Sequence, residues 1–138
     1  MLHFTKEVDY GLLLIAALAE IPRGQHVSLR KVSESKKLPY KFLGKIIIPL
    51  KKAGIVNSVQ GVNGGYSLKK DLNKIGLAEV IGAYEEDLAP VKCLQLDKNT
   101  CQSHAVCNTR NFWAEVHGKI GEVINAYTVS DLINQKKS

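Results

Sequence analysis

The sequence predicts a mainly α domain that carries one small β-hairpin. Apolar residues recur at spacings of three and four along most of the chain, which is the helical period. The exception is a pair of short β-type runs flanking a glycine-rich stretch, Gln60-Gly61-Val62-Asn63-Gly64-Gly65, which is hairpin chemistry. At 138 residues and 45% hydrophobic, the chain can build one core but not two domains of usual size.

Thr5 stands at the cap of a first helix, with Glu7 and Asp9 in the first turn, where the helix dipole favours negative charge. Tyr10, Leu13, Leu14, Ala17 and Leu18 follow at helical spacing. Leu12, Ile15 and Ala16 add a second apolar face, so another element or subunit is expected against it. Pro22 and Gly24 end this helix, and Ser28 caps a second one from Leu29 to about Lys37. Pro39 suits the first turn of a third helix that runs to about Ala53, with Gly54 as its stop. Phe42, Ile46, Leu50 and Ala53 share its predicted inner stripe, and Lys41, Lys45 and Lys52 share the opposite face. Pro49 removes the hydrogen bond to Lys45 and is expected to kink the last turn.

Ile55 to Val59 and Tyr66 to Leu68 read as the paired strands, with Asn63-Gly64 supplying positive φ angles at the tip. A short helix from Leu77 to Tyr84 comes next, then an aperiodic loop from Glu85 to Cys107. From about Asn111 a long helix returns, in which Trp113, Val116, Ile120, Val123 and Tyr127 follow the alternating spacing of a coiled-coil seam. Two short helices, a tight turn and a hairpin give the order of a winged helix-turn-helix, with a long C-terminal dimerisation helix appended. The expected organisation is therefore 1–84 as a winged helix-turn-helix DNA-binding region, 85–110 as a cysteine cluster-binding loop, and 111–138 as dimerisation helix and tail within one compact domain.

The net charge of +6 is divided unevenly. Residues 1–74 hold 13 Lys/Arg against 5 Asp/Glu, whereas residues 75–138 hold 6 against 8, so the basic surface belongs to the first half and a polyanion is its simplest partner. Lys37, Tyr40, Lys41 and Lys45 around the third helix, with Gly61, Asn63, Gly64 and Gly65 in the wing, are the expected contacts to double-stranded DNA. A solvated lysine face and plain turn glycines are the simpler alternatives; the helix-turn-helix context favours DNA. No Ser/His/Asp set or carboxylate pair is identifiable, and the wing lacks the Lys-Ser/Thr ending of a phosphate loop, so no enzyme is expected. The apolar run from Tyr10 to Ala19 is too short to cross a bilayer and has no basic leader, and a cytoplasmic, reducing location follows as the expectation.

Three cysteines, Cys93, Cys101 and Cys107, cannot all pair with one another and lie in one polar stretch, which favours a soft metal centre over unrelated buried thiols. His104 lies between two of them, so a zinc site of three thiolates and one imidazole is an alternative, as is an electron-transfer role for an iron–sulfur centre.

Thr5-Lys6-Glu7-Val8-Asp9-Tyr10-Gly11-Leu12, Ala53-Gly54-Ile55-Val56-Asn57-Ser58 and Gly61-Val62-Asn63-Gly64-Gly65-Tyr66-Ser67-Leu68 occur in order, followed by the three cysteines, Trp113 and Thr128-Val129-Ser130-Asp131-Leu132. In this order and separation the chain resembles the IscR/NsrR family of bacterial winged-helix transcription regulators over nearly its whole length. The resemblance implies a homodimer that binds promoter DNA and, where the cysteines are retained, an iron–sulfur cluster of the 4Fe–4S or 2Fe–2S type. IscR-like relatives place a histidine ligand three residues after the last cysteine, but Arg110 stands there. NsrR-like relatives use an aspartate from the first helix of the partner subunit, matched here by Asp9, with His104 as the alternative fourth ligand. Some relatives carry an operator-selecting acid early in the third helix, where this chain has Gly44, so their target sequence does not transfer.

Overall fold

The computed structural model of the chain describes residues 4–85 and 109–136. In order, these form α1 (Lys6–Ala19), α2 (Leu29–Lys36), α3 (Tyr40–Lys52), β1 (Val56–Val59), β2 (Gly65–Leu68), a 3-10 turn at Leu72–Lys74, α4 (Leu77–Tyr84), α5 (Arg110–Asn125) and α6 (Val129–Lys136). This is the predicted winged helix-turn-helix with a C-terminal helix, extended by a sixth helix.

Local chemistry sets the helix-turn-helix. The Ser28 hydroxyl accepts from the Lys31 amide at 3.1 Å, which satisfies one of the orphan donors at the start of α2. At the other end Lys37 takes a left-handed conformation, φ 56°, and its amide donates to Ser33 O, so a non-glycine residue makes the turn into α3. The Ser33 hydroxyl donates to Leu38 O at 2.5 Å and fastens the same turn. Pro39 sits one residue earlier than expected, as the cap of α3 in extended conformation rather than in its first turn.

The main core joins α1, α2, α3, the hairpin and the 3-10 turn. Leu14, Ile15, Leu18, Leu43, Ile46, Leu50, Ile55 and Ile75 are sealed in it, and no polar residue among those described is buried. The inner stripe of α3 is Leu43, Ile46, Ile47 and Leu50; Phe42 and Ala53, expected on it, are only half-buried at its edge. On α1, Leu13 is 44% exposed rather than core. Of the expected second apolar face, Ile15 is sealed in the main core, whereas Leu12 packs beside Val8, Ile81 of α4 and Ile124 of α5 in a second cluster.

The hairpin pairs Val56 with Leu68 through Val59 with Gly65, antiparallel. Positive φ occurs at Gly61 (116°) and Gly65 (137°), flanking the expected Asn63-Gly64 pair rather than on it. Gly64 is required sterically instead: a Cβ there would lie 2.1 Å from the Val59 carbonyl oxygen. Val27 then adds a bridge to Tyr66, with bonds of 3.0 and 2.8 Å, and anchors the wing to the segment before α2.

The predicted helix from about Asn111 ends at Asn125, and α6 follows. Asp131 explains the restart, since its carboxylate accepts from the Thr128 amide at 2.8 Å in the manner of a capping box. Leu77 N donates to Tyr127 O and Val129 N to Ile75 O, both at 2.9 Å, so the α5–α6 junction is tied to the start of α4.

Candidate nucleic-acid interface

Lys41, Lys45 and Lys52 project from the exposed side of α3, and Lys37 is exposed at the turn before it. None of these four enters an ion pair among the described residues, whereas Arg23 pairs with Asp71, Lys36 with Glu20 and Lys70 with Glu79. The lysines of α3 thus keep their charge available for an external anion, which is the condition for phosphate binding. Tyr40 is 46% exposed at the start of the helix, and the Arg30 guanidinium lies 4.6 Å from its ring centroid. That stacking holds a second cation, from α2, at the entrance of the same face. Sequence reasoning missed Arg30, since its only signal was helical phase on α2 and the partner is ten residues away on another helix.

The wing follows α3 in the chain and is anchored to the segment before α2. Gly61 and Asn63 are exposed at its tip with Val62 between them, and Gly64 and Gly65 are half-buried at its base. A cleft of about 450 Å³ separates Val62, Asn63 and Gly64 from His26, Ser28 and Lys31, so the start of α2 also borders the wing. Gly44, on the outer side of α3, has open space where a Cβ would stand; nothing among the described residues demands a glycine there.

Cys93, Cys101, Cys107 and His104 lie outside the described residues. Among the described residues no cluster of His, Cys, Asp and Glu could hold a metal by itself. Asp9 is exposed on α1, clear of any ion pair among the described residues. Arg110 and His117, seven residues apart on one side of α5, each carry a buried guanidine or ring nitrogen, Nε and Nδ1 respectively, without a hydrogen-bond partner among the described residues. Thiolates are soft ligands, so the donor chemistry of the three cysteines fits an iron–sulfur group.

The residues just before the cysteine segment are bonded to the start of α1 and to α3. Glu85 accepts the Thr5 amide at 3.2 Å; the Thr5 hydroxyl makes no capping bond. The Tyr84 hydroxyl donates to Ile46 O of α3 at 2.7 Å, and burial, followed by the Glu7 carboxylate, raises its pKa above the ordinary phenol range. It therefore remains a donor at physiological pH.

Along α5, the expected seam is open in the single chain. Trp113, Val116 and Ile120 are half-buried, Val123 is 61% and Tyr127 45% exposed. With Phe4, Phe112 and Leu77, most of them line an apolar groove of about 610 Å³. No described helix is long and apolar enough to cross a membrane.

The Rrf2 family, "Iron-dependent Transcriptional regulator", matches residues 4–135. The HTH-type transcriptional regulator NsrR of Shouchella clausii is 30% identical over 132 residues, 96% of this chain and 89% of the relative. Among solved structures, CymR, the global cysteine regulator of B. subtilis, is 26% identical with a TM-score of 0.77, covering 98% of both chains. IscR of T. potens is 27% identical with a TM-score of 0.73, covering 98% of this chain and 88% of that one. Sequence, fold and the arrangement of helix, wing and C-terminal helices agree: the chain belongs to the Rrf2 family and is an IscR/NsrR-type winged helix-turn-helix transcriptional regulator.

Proposed function

We propose that this regulator works as a homodimer whose affinity for promoter DNA responds to an iron–sulfur cluster held by Cys93, Cys101 and Cys107. The observation that carries the DNA part is the exposed lysine face of α3, clear of ion pairs among the described residues. Two recognition helices related by a twofold axis enter successive major grooves, so the operator is a pseudo-palindrome. Lys41 and Lys45 bind phosphate, Tyr40 and the stacked Arg30 reach base edges or phosphate at the helix start, and Gly61, Asn63, Gly64 and Gly65 bring the wing backbone to the neighbouring minor groove. Lys37 adds a phosphate contact from the turn. The apolar groove along α5 is the surface that the second copy covers.

When bound, the cluster supplies a centre whose integrity depends on iron supply, oxidants or nitric oxide. The three cysteine thiolates would hold it, and Asp9 of the second copy, exposed here, would be the fourth and weaker ligand, ahead of His104. Arg110, three residues beyond Cys107 in sequence, and His117 carry nitrogens without a partner among the described residues, available to an anionic group. The similarity to CymR, the global cysteine regulator of B. subtilis, favours one second reading: a thiol-redox or zinc site built from the same cysteines and His104.

Anaerobic purification with iron, sulfide and zinc analysis separates these readings, followed by footprinting of holo and apo protein. Brown or red protein with matched iron and sulfide, whose operator affinity changes on cluster loss, is the expected result. Colourless zinc protein, or affinity indifferent to the cluster, refutes the sensor. Cys101→Ala is expected to lose the cluster, and Asp9→Ala to keep it with an altered spectrum; an altered spectrum in His104→Ala alone transfers the fourth ligand to His104.

A further inference from the structure

Tyr84 is the last residue of α4 and meets two other helices at once. Its hydroxyl is bonded to the carbonyl oxygen of Ile46, directly beside Lys45 of the DNA-facing side. Pro49 follows three residues later; lacking an N–H, it leaves Lys45 O without its helical donor, so the lateral bond from Tyr84 falls where the ladder of α3 is interrupted. Its ring lies in the notch of Gly11 on α1: a Cβ at Gly11 would stand 2.6 Å from Cε2 of Tyr84. Asp9 is two residues before that notch, and the next residue, Glu85, holds the Thr5 amide. One side chain thus joins the start of the cysteine segment, the helix of Asp9 and the backbone behind the lysine face.

We propose that Tyr84 is a positioning residue for DNA binding: its hydroxyl sets where α3 stands relative to α1 and α4, and so transmits the state of the cysteine site to Lys41 and Lys45. The coupling half of this inference rests on the sensor reading above; the positioning half does not. A hydrogen bond to a backbone carbonyl from a tyrosine that is locked by ring packing defines one placement of α3. Without it, the helix retains its core residues Leu43, Ile46, Ile47 and Leu50 but loses its lateral constraint. The folded chain survives while the lysine face samples more than one position, and binding loses the fraction of molecules in the competent one.

Tyr84→Phe removes the hydroxyl and keeps the ring, and Gly11→Ala pushes the same ring from the opposite side. Both are measured in the full chain, holo and apo, against the promoter fragment that wild-type protein protects, alongside iron content, absorption and thermal unfolding. Tyr84→Phe is expected to fold and hold iron as wild type does, and to bind that fragment about fivefold to tenfold more weakly, a loss equivalent to about 1–1.4 kcal/mol. Its holo-to-apo affinity ratio is expected to fall towards one, which a merely stabilising contact would not produce. Gly11→Ala is expected to reproduce both changes. Affinity within twofold of wild type in Tyr84→Phe overturns the positioning role. If wild-type protein binds equally with and without its cluster, the sensor reading fails, and the affinity of Tyr84→Phe alone decides whether Tyr84 positions α3.

Discussion

Val123→Asp tests the proposed dimer at a residue the single chain does not need. Val123 is 61% exposed on α5, whereas Ile120, half-buried against the second core cluster, would confound assembly with folding. Burying a whole valine side chain is worth about 1.5–3 kcal/mol, so covering the exposed 61% contributes about 1–2 kcal/mol per copy and about 2–4 kcal/mol across a twofold interface. The introduced carboxylates add the cost of desolvating a charge without a partner. The dimer dissociation constant is therefore expected to rise at least about 30-fold to 1000-fold. In an isolated chain the same exposed substitution should change stability by only about 0.5 kcal/mol. Sedimentation equilibrium over a wide concentration range, paired with circular dichroism melts, separates the two quantities. A folded Val123→Asp protein with wild-type dimer affinity would show that the groove along α5 is covered by something other than a second copy.

Replacing Lys41 and Lys45 together with alanine should weaken binding to all DNA sequences and lower the log–log salt slope by about two, one per phosphate contact; filter binding between low and moderate salt measures it, and an unchanged slope places the DNA surface elsewhere. Gly64→Ala drives a Cβ into the Val59 carbonyl and must shift backbone, so a loss of about 1–3 kcal/mol in urea unfolding is expected together with weaker operator binding. Ser28→Ala removes the acceptor for the Lys31 amide and should cost about 1 kcal/mol by the same assay, leaving iron content unchanged.

The boundaries of α4, Leu77–Tyr84, were legible in the sequence, as were the start of α2 at its serine cap and the stop of α3 before Gly54. These are places where one residue type has one local use. The inner face of α3 was not, because Ile46, Ile47 and Ile48 are consecutive and side-chain type cannot rank them; packing buries the first two and leaves Ile48 56% exposed. Leu13 and Leu14 pose the same ambiguity on α1. The α6 start carried a readable signal in Thr128-Val129-Ser130-Asp131, but the apolar seam continuing to Tyr127 hid the break. The basic face of the candidate site was visible as helical phase. Arg30 over Tyr40 and Tyr84 under Ile46 were not, since both join residues whose separation in sequence has no period.

The separation of charge along the chain also constrains how a sensor in the second half can act. The surplus of eight positive charges, and with it the proposed DNA face, lies in residues 1–74, while the cysteines lie beyond residue 90 in a net-acidic half. A change in cluster charge would be screened over roughly a Debye length of 8 Å at physiological salt, so long-range repulsion alone makes a poor switch. Links from residues 75–138 back to residues 1–74 among the described residues include Tyr84 on Ile46, Glu85 on Thr5 and the Lys70–Glu79 ion pair. Each is one hydrogen bond or surface ion pair, worth about 1 kcal/mol net or less. Allosteric coupling of about 1–3 kcal/mol needs no more than one to three such bonds to differ between states. A switch of this size can therefore operate without remodelling the core, and of these links the bond at Tyr84 ends on α3, the helix that carries Lys41 and Lys45.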